Sequence, residues 1–132
     1  MQHIDKLALI EIQDRKILMV RSKGKDTWYI PGGKRDEGES DEEALIREIK
    51  EELGADLLLD TISFYAEYEA QAHGKEVGVL VRAKCYKGKC IGDFKASNEI
   101  EEFAWFDYSK KEIVGDLAKL IFEDLKLKDL ID

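Results

Sequence analysis

The apolar positions fall into short blocks whose spacing changes along the chain. Residues 6–12 and 16–21 are two apolar runs split by the polar Gln13-Asp14-Arg15, which predicts paired strands in a hairpin. Residues 22–26 are polar and read as a loop; Thr27-Trp28-Tyr29-Ile30 then favours strand until Pro31-Gly32-Gly33 stops it. Ser40-Asp41-Glu42-Glu43 has the form of a capping box and Gly54 supplies a stop, so residues 40–53 are predicted as a helix with Leu45, Ile49 and Leu53 as its buried stripe. Residues 57–68 and 76–86 read as longer strands joined around Ala72-His73-Gly74-Lys75, and 99–106 as one more strand. Val114, Leu117, Leu120, Ile121 and Leu125 carry helical spacing, and this amphipathic tail is expected to pack on the chain's own sheet. Strands mixed with one early and one late helix place the chain in the α/β class, as a sandwich with helices covering a mixed sheet.

Composition narrows the classes of function. The chain has 132 residues, 44% hydrophobic and 38% charged, with no internal repeat or linker, so residues 1–132 are expected to form one domain. Its formal charge of −8 opposes both the phosphate backbone of a long nucleic acid and an anionic membrane surface. No apolar run approaches the roughly 18–20 residues that span a bilayer, and the first residues lack the pattern of a signal peptide, so a cytoplasmic location is expected. Cys85 and Cys90 flank the turn-like Lys87-Gly88-Lys89 and are expected as reduced neighbours across a hairpin; with His3 and His73 they match no zinc spacing.

The chemistry is concentrated in residues 31–54. On a helix, Glu48, Glu51 and Glu52 fall within roughly a third of the circumference, so three carboxylates share one patch. Like charges that close oppose one another unless a cation is present, and a hard divalent ion suits their oxygens. Glu52 lies on the shoulder of the buried stripe rather than opposite it, where a merely solubilising residue would stand. Arg47 is four residues from both Glu43 and Glu51 and can brace a metal-binding carboxylate by a charge-assisted bond. Gly32 and Gly33, without Cβ atoms, let the backbone approach a ligand, and a carbonyl there can face the ion.

Gly33, Glu39, Arg47-Glu48-Ile49, Glu51-Glu52 and Gly54-Ala55, at these spacings, resemble the complete Nudix box of the MutT-like Nudix hydrolases. Seven fixed positions at ordinary composition would coincide by chance on the order of 10⁻⁸ per start. Ala55, where the family usually carries a bulkier aliphatic residue, is the one departure. The resemblance implies a Nudix-type α/β/α sandwich and hydrolysis of a nucleoside diphosphate linked to another moiety. In the family, the carboxylates corresponding to Glu48, Glu51 and Glu52 hold magnesium, with manganese as an alternative, helped by a carbonyl matching Gly32. The arginine matching Arg47 orients them and the glutamate matching Glu39 supports the loop. The general base is either a glutamate of the box or one on a distant loop; Glu99, Glu101 and Glu102 are the loop candidates, with Glu102 chosen among them.

Substrate features are less marked. Trp28 and Tyr29 can offer a ring to a nucleobase or pack in the core. Lys34 and Arg35 can reach a phosphate or remain solvated, and Asn98 reads as a turn residue. The ADP-ribose type of the family has a proline about fifteen residues past the box and the dinucleoside polyphosphate type a tyrosine slightly further on; this chain has neither. The implied substrate is therefore a small-molecule nucleotide, a (deoxy)nucleoside triphosphate that can be oxidised, cleaved to the monophosphate and pyrophosphate. The alternatives are a nucleotide sugar such as ADP-ribose, or a module that senses a nucleotide without cleaving it. A monomer and a homodimer are both compatible with the sequence.

Overall fold

The computed structural model describes residues 2–72 and 75–132. Its strands are β1 (Gln2–Ile10), β2 (Ile12–Gln13), β3 (Lys16–Ser22), β4 (Trp28–Tyr29), β5 (Gly32–Gly33), β6 (Asp56–Leu57), β7 (Ser63–Gln71), β8 (Val79–Lys87), β9 (Cys90–Ile91) and β10 (Ile100–Phe106). The helices are α1 (Asp41–Leu53) and α2 (Asp116–Leu127), with short 3-10 segments at Leu59–Thr61 and Tyr108–Ile113. A mixed sheet runs β5-β1-β8-β7, in which β1 and β8 are parallel and the other pairs antiparallel. A second, antiparallel sheet runs β10-β3-β2, with β4 on β3.

The alternation of side chains in β1 and β3 builds the layers. Leu7 and Leu9 pack under Ala44, Leu45 and Ile49 of α1, whereas Ala8 and Ile10 join Ala118, Ile121, Phe122 and Leu125 of α2 on the opposite face. In β3, Leu18 and Val20 meet Leu53, while Ile17 and Met19 face the α2 side. A strand buried on both faces reads as an unbroken apolar run, which is what 7–10 and 17–20 are. The result is the expected α/β architecture, helices covering a mixed sheet on two sides.

Helix α1 begins and ends where its caps dictate. Ser40 Oγ accepts from the Glu43 amide at 3.1 Å, and Glu43 Oε1 accepts from the Ser40 amide at 2.9 Å. At the other end Gly54 takes the left-handed conformation, φ 67°, with its amide donated to Lys50 O.

Five sequence expectations are corrected. The N-terminal hairpin is reduced to β2–β3, because β1 departs at the buried Glu11 to pair with β8. The strand expected over 57–68 is split by the 3-10 turn that Thr61 closes on Leu58 O, and the strand expected over 76–86 begins at Val79. Cys85 and Cys90 are free thiols but not hairpin neighbours: β9 pairs with β6, not β8. In α2, Leu120 is 43% exposed and Ala118 and Phe122 fill the core instead; Val114 precedes the helix. The expected turn at His73-Gly74 lies outside the described residues.

Candidate active site

Of the three clustered carboxylates, Glu52 is the most deeply placed, 6% exposed on the inner flank of α1. Its Oε1 accepts the Gly32 amide at 3.0 Å. Burial pushes the Glu52 carboxyl up to about 8; the Gly32 bond and the Lys6 ammonium oppose the rise and Glu48 adds to it. Glu48 is also raised, first by burial, with Arg47 opposing. A buried acid that must lose its proton to do chemistry is an arrangement a bound cation stabilises.

The two glycines are required for different reasons. Gly32 sits at φ +142°, and a Cβ there would lie 2.0 Å from Leu7 O in the neighbouring strand. Gly33 has ordinary backbone, but a Cβ would lie 2.5 Å from the Glu48 carboxylate, so the missing side chain is the space that carboxylate occupies.

Arg47 is the hub of the loop. Its Nε and Nη2 grip both oxygens of Glu39, at 2.8 and 2.9 Å; Nη1 reaches Glu48 Oε1 at 2.9 Å and Glu51 at 3.4 Å, and Nη2 also donates to Lys34 O at 3.1 Å. Glu39 in turn accepts the Asp36 amide at 2.8 Å, and Arg47 first, then that amide, hold its carboxyl below the usual range. The expected contact of Arg47 with Glu43 is absent because Glu43 is spent on the helix cap.

The segment before β10 caps the far end of α1. Lys95 and Ser97 amides donate to Leu53 O and Glu52 O, and Asn98 Nδ2 donates to Glu51 O at 2.7 Å. This cap brings Glu99 close enough for its charge to raise both Glu48 and Glu52. Glu102, chosen from the sequence as the base, is placed differently: Arg21 Nε and Nη2 hold its Oε1 at 3.0 and 2.5 Å.

Two cavities lie on opposite faces of the β1–β8 sheet. One, of 150 Å³, is lined by Ile4, Tyr29, Ile30, Val81, Leu117 and other residues between the sheet and the start of α2, with Lys6, Gln71, Lys75 and Asp116 as polar members. The other, of 560 Å³, lies beside the glycine loop and is lined by Lys34, Arg35, Arg82 and Lys84 with Asp5, Asp41 and Glu67. The sequence reading missed Lys6; the available signal was a cation at an inward position of a strand whose next inward residues, Ala8 and Ile10, are core. Trp28, for which the sequence left a stacking platform and a core position both open, is 9% exposed in the core, its ring 4.8 Å from Phe106 and under the Arg21 guanidinium. Its neighbour Tyr29 faces the smaller cavity. Gly115 permits this, since a Cβ there would press on the Tyr29 ring at 3.1 Å.

The donor set of Glu48, Glu51 and Glu52 with nearby backbone carbonyls is all oxygen, which fits a hard divalent cation rather than zinc. Among the described residues no three ligating side chains converge on one point: Glu52 is bonded to the Gly32 amide, and Glu48 and Glu51 to Arg47.

The NUDIX domain family matches residues 2–123. The chain is 35% identical over 97 residues to the mRNA-decapping enzyme subunit 2 of Saccharomyces cerevisiae (strain YJM789), covering 72% of itself but only 10% of the length of that protein. It is 28% identical over 130 residues to the RNA pyrophosphohydrolase of Ruthia magnifica subsp. Calyptogena magnifica, covering 84% of itself and 72% of the relative. Among solved structures, the MutT NUDIX hydrolase from Burkholderia pseudomallei superposes with a TM-score of 0.74 at 22% identity, over 93% of this chain and 98% of the other. Family match, fold and the spacing of the box agree, and the chain belongs to the NUDIX domain family.

Proposed function

We propose that this chain is a Mg²⁺-dependent pyrophosphohydrolase that cleaves a nucleoside triphosphate to the monophosphate and pyrophosphate. The observation that carries the reading is the carboxylate patch of Glu48, Glu51 and Glu52, braced by the Arg47–Glu39 fork. The cleft has room for one ring system, which Tyr29 can stack against, and Lys34 and Arg35 beside the glycine loop suit a polyphosphate better than a neutral sugar.

Magnesium held by Glu48, Glu51 and Glu52, with a carbonyl of the glycine loop, would lower the pKa of a water and neutralise the charge that develops on phosphorus. The chain's own residues do the rest. Glu99 accepts the proton of the attacking water as its oxygen bonds to phosphorus. The bond to the bridging oxygen breaks, and the pyrophosphate leaves toward Lys34 and Arg35. Arg47 keeps the orientations of Glu48 and Glu51 fixed, so no rotamer search accompanies the reaction. The relative from Ruthia magnifica is named for RNA, but the −8 charge of this chain favours a small nucleotide over a long polyanion.

The test is release of pyrophosphate and phosphate from a panel of nucleoside triphosphates, 8-oxo-dGTP, ADP-ribose and nucleotide sugars, with Mg²⁺ or chelator, beside Glu51→Gln. Mg²⁺-dependent pyrophosphate release that the substitution removes is the expected result. Preference for ADP-ribose or a nucleotide sugar would replace the substrate; binding without turnover of any compound would make the chain a sensor.

A further inference from the structure

The last four carbonyls of a helix lack partners along it. In α1 each of them is satisfied from outside. Gly54 donates its amide to Lys50 O at 3.0 Å, Ser97 to Glu52 O at 3.0 Å and Lys95 to Leu53 O at 2.8 Å. Those three donors are backbone amides, which any residue but proline supplies. The fourth is a side chain, Asn98 Nδ2, which donates to Glu51 O at 2.7 Å. Asn98 stands at φ +55°, in the left-handed region. Of the short residues that adopt this conformation readily, glycine has no side chain and aspartate has no hydrogen to donate. Asparagine meets both demands. The turn that Asn98 opens is closed by the Ile100 amide on Ser97 O at 3.0 Å, and Glu99 O accepts the Lys23 amide at 2.8 Å. The backbone around Glu99 is therefore fastened on both sides, to the helix through Asn98 and to the β3–β4 loop through Lys23.

We propose that Asn98 is a positioning residue: its amide ties the turn that bears Glu99 to the helix that bears Glu51 and Glu52, and so fixes where the base stands relative to the metal-holding carboxylates. The assignment rests on the proposed hydrolase reading, in which Glu99 takes the proton of the attacking water, and deepens it by giving a role to a residue that touches neither metal nor substrate. The helix is the fixed member of the pair, because Leu45, Ile49 and Leu53 anchor it in the core. The turn is the adjustable one, since Asn98 and Glu99 are both exposed. Without the amide, the turn keeps its backbone bonds but gains slack at the residue next to the base. A misplacement of about 1 Å there is enough to cost on the order of a hundredfold in rate. An ordinary helix cap would contribute to stability alone, and that difference can be measured.

The experiment uses Asn98→Gly, which tolerates the positive φ and removes only the amide. Thr61→Ala is the control, because Thr61 donates to Leu58 O and accepts the Lys89 amide outside the site. Melting temperature, kcat and KM on the nucleotide that the substrate panel selects, and Mg²⁺ affinity by calorimetry, are measured on the full chain. Both variants should melt about 3–6 °C below wild type, the size of one lost hydrogen bond in a domain of this length. At a temperature where all are folded, Asn98→Gly should lose kcat about 10- to 100-fold, with KM and Mg²⁺ affinity within about twofold of wild type. Thr61→Ala should match wild type in all three. In a Glu99→Gln background, Asn98→Gly should lower kcat by no more than about threefold further, because the group it positions has already been removed. Wild-type kcat in Asn98→Gly, an equal loss whether residue 99 is glutamate or glutamine, or a parallel loss of Mg²⁺ affinity overturns the assignment and leaves the proposed function standing. A wild type that cleaves no nucleotide overturns both.

Discussion

Arg47 and Glu39, eight residues apart, are joined by two parallel hydrogen bonds of 2.8 and 2.9 Å, and through them the glycine loop is fastened to the helix that carries the carboxylates. Lysine can match the charge of arginine but not the fork. Arg47→Lys should therefore lower activity about 10- to 100-fold and weaken Mg²⁺ dependence by a similar factor, with the fold intact. Activity measured across a Mg²⁺ titration, beside circular dichroism, checks this; an unchanged metal requirement would count against the bracing role.

The two glycines separate stability from chemistry. Gly32→Ala puts a Cβ against fixed backbone at a positive φ and should cost on the order of 2–4 kcal/mol, read from denaturant unfolding. Gly33→Ala meets only the movable end of Glu48, so stability should change by about 1 kcal/mol or less while Glu48 is displaced and activity falls sharply. Equal losses of stability in the two variants would contradict the distinction.

Glu52 predicts the direction of pH dependence in the metal-free protein. Its carboxyl is raised in the fold from 4.5 to about 8, so between those values the native state holds a proton that the unfolded chain has released. Stability should be fullest below about pH 4.5 as far as this group is concerned, and should fall as pH rises to about 8. Glu52→Gln should flatten the fall, and Mg²⁺, which binds the deprotonated form, should reverse it. Melting temperatures in chelator from pH 5 to 8.5 decide; a rising curve in the wild type with no effect of Glu52→Gln would reject the account.

Glu99 and Glu102 are three residues apart, and the proposed mechanism gives them different duties. Glu99→Gln should reduce kcat by about 10²-fold or more if it takes the proton of the attacking water. Glu102→Gln, which only loosens Arg21, should leave kcat close to wild type. The reverse order would return the base to Glu102.

Trp28 and Tyr29 divide in the same way between core and cleft. Trp28→Leu should cost about 2–3 kcal/mol of stability with KM nearly unchanged. Tyr29→Ala should raise KM about tenfold or more while leaving the core packed.

What was legible in the sequence was local. The cap of α1, its apolar stripe and the buried flank position of Glu52 all follow from residues within four positions of one another. Arg47 was readable as a brace with Glu51 as one of its partners, and that contact is present; its tighter partner Glu39, eight residues back across the helix cap, lay outside the four-residue spacing, and Glu43 is taken by the cap. Distant pairings escaped. That Lys6 lines a cleft depends on α2 and β8, that Glu102 is engaged depends on Arg21 across the sheet, and that Trp28 is core depends on Phe106. No spacing within the chain encodes these contacts.

The parallel ladder of β1 and β8 also sets an order of birth. Gln2 pairs with Val79 and Ile10 with Lys87, partners 77 residues apart, so at about 5–20 residues per second β1 leaves the ribosome about 4 to 15 s before its neighbour exists. Gly33, which pairs with Leu7 on the other edge of β1, arrives far sooner. The carboxylate-bearing half of the site can thus gather on β1 while the wall of the base cleft is still unmade. A chain halted in that interval would carry the catalytic acids beside an uncovered apolar strand edge, a species prone to pair with its own kind before it can bind a nucleotide.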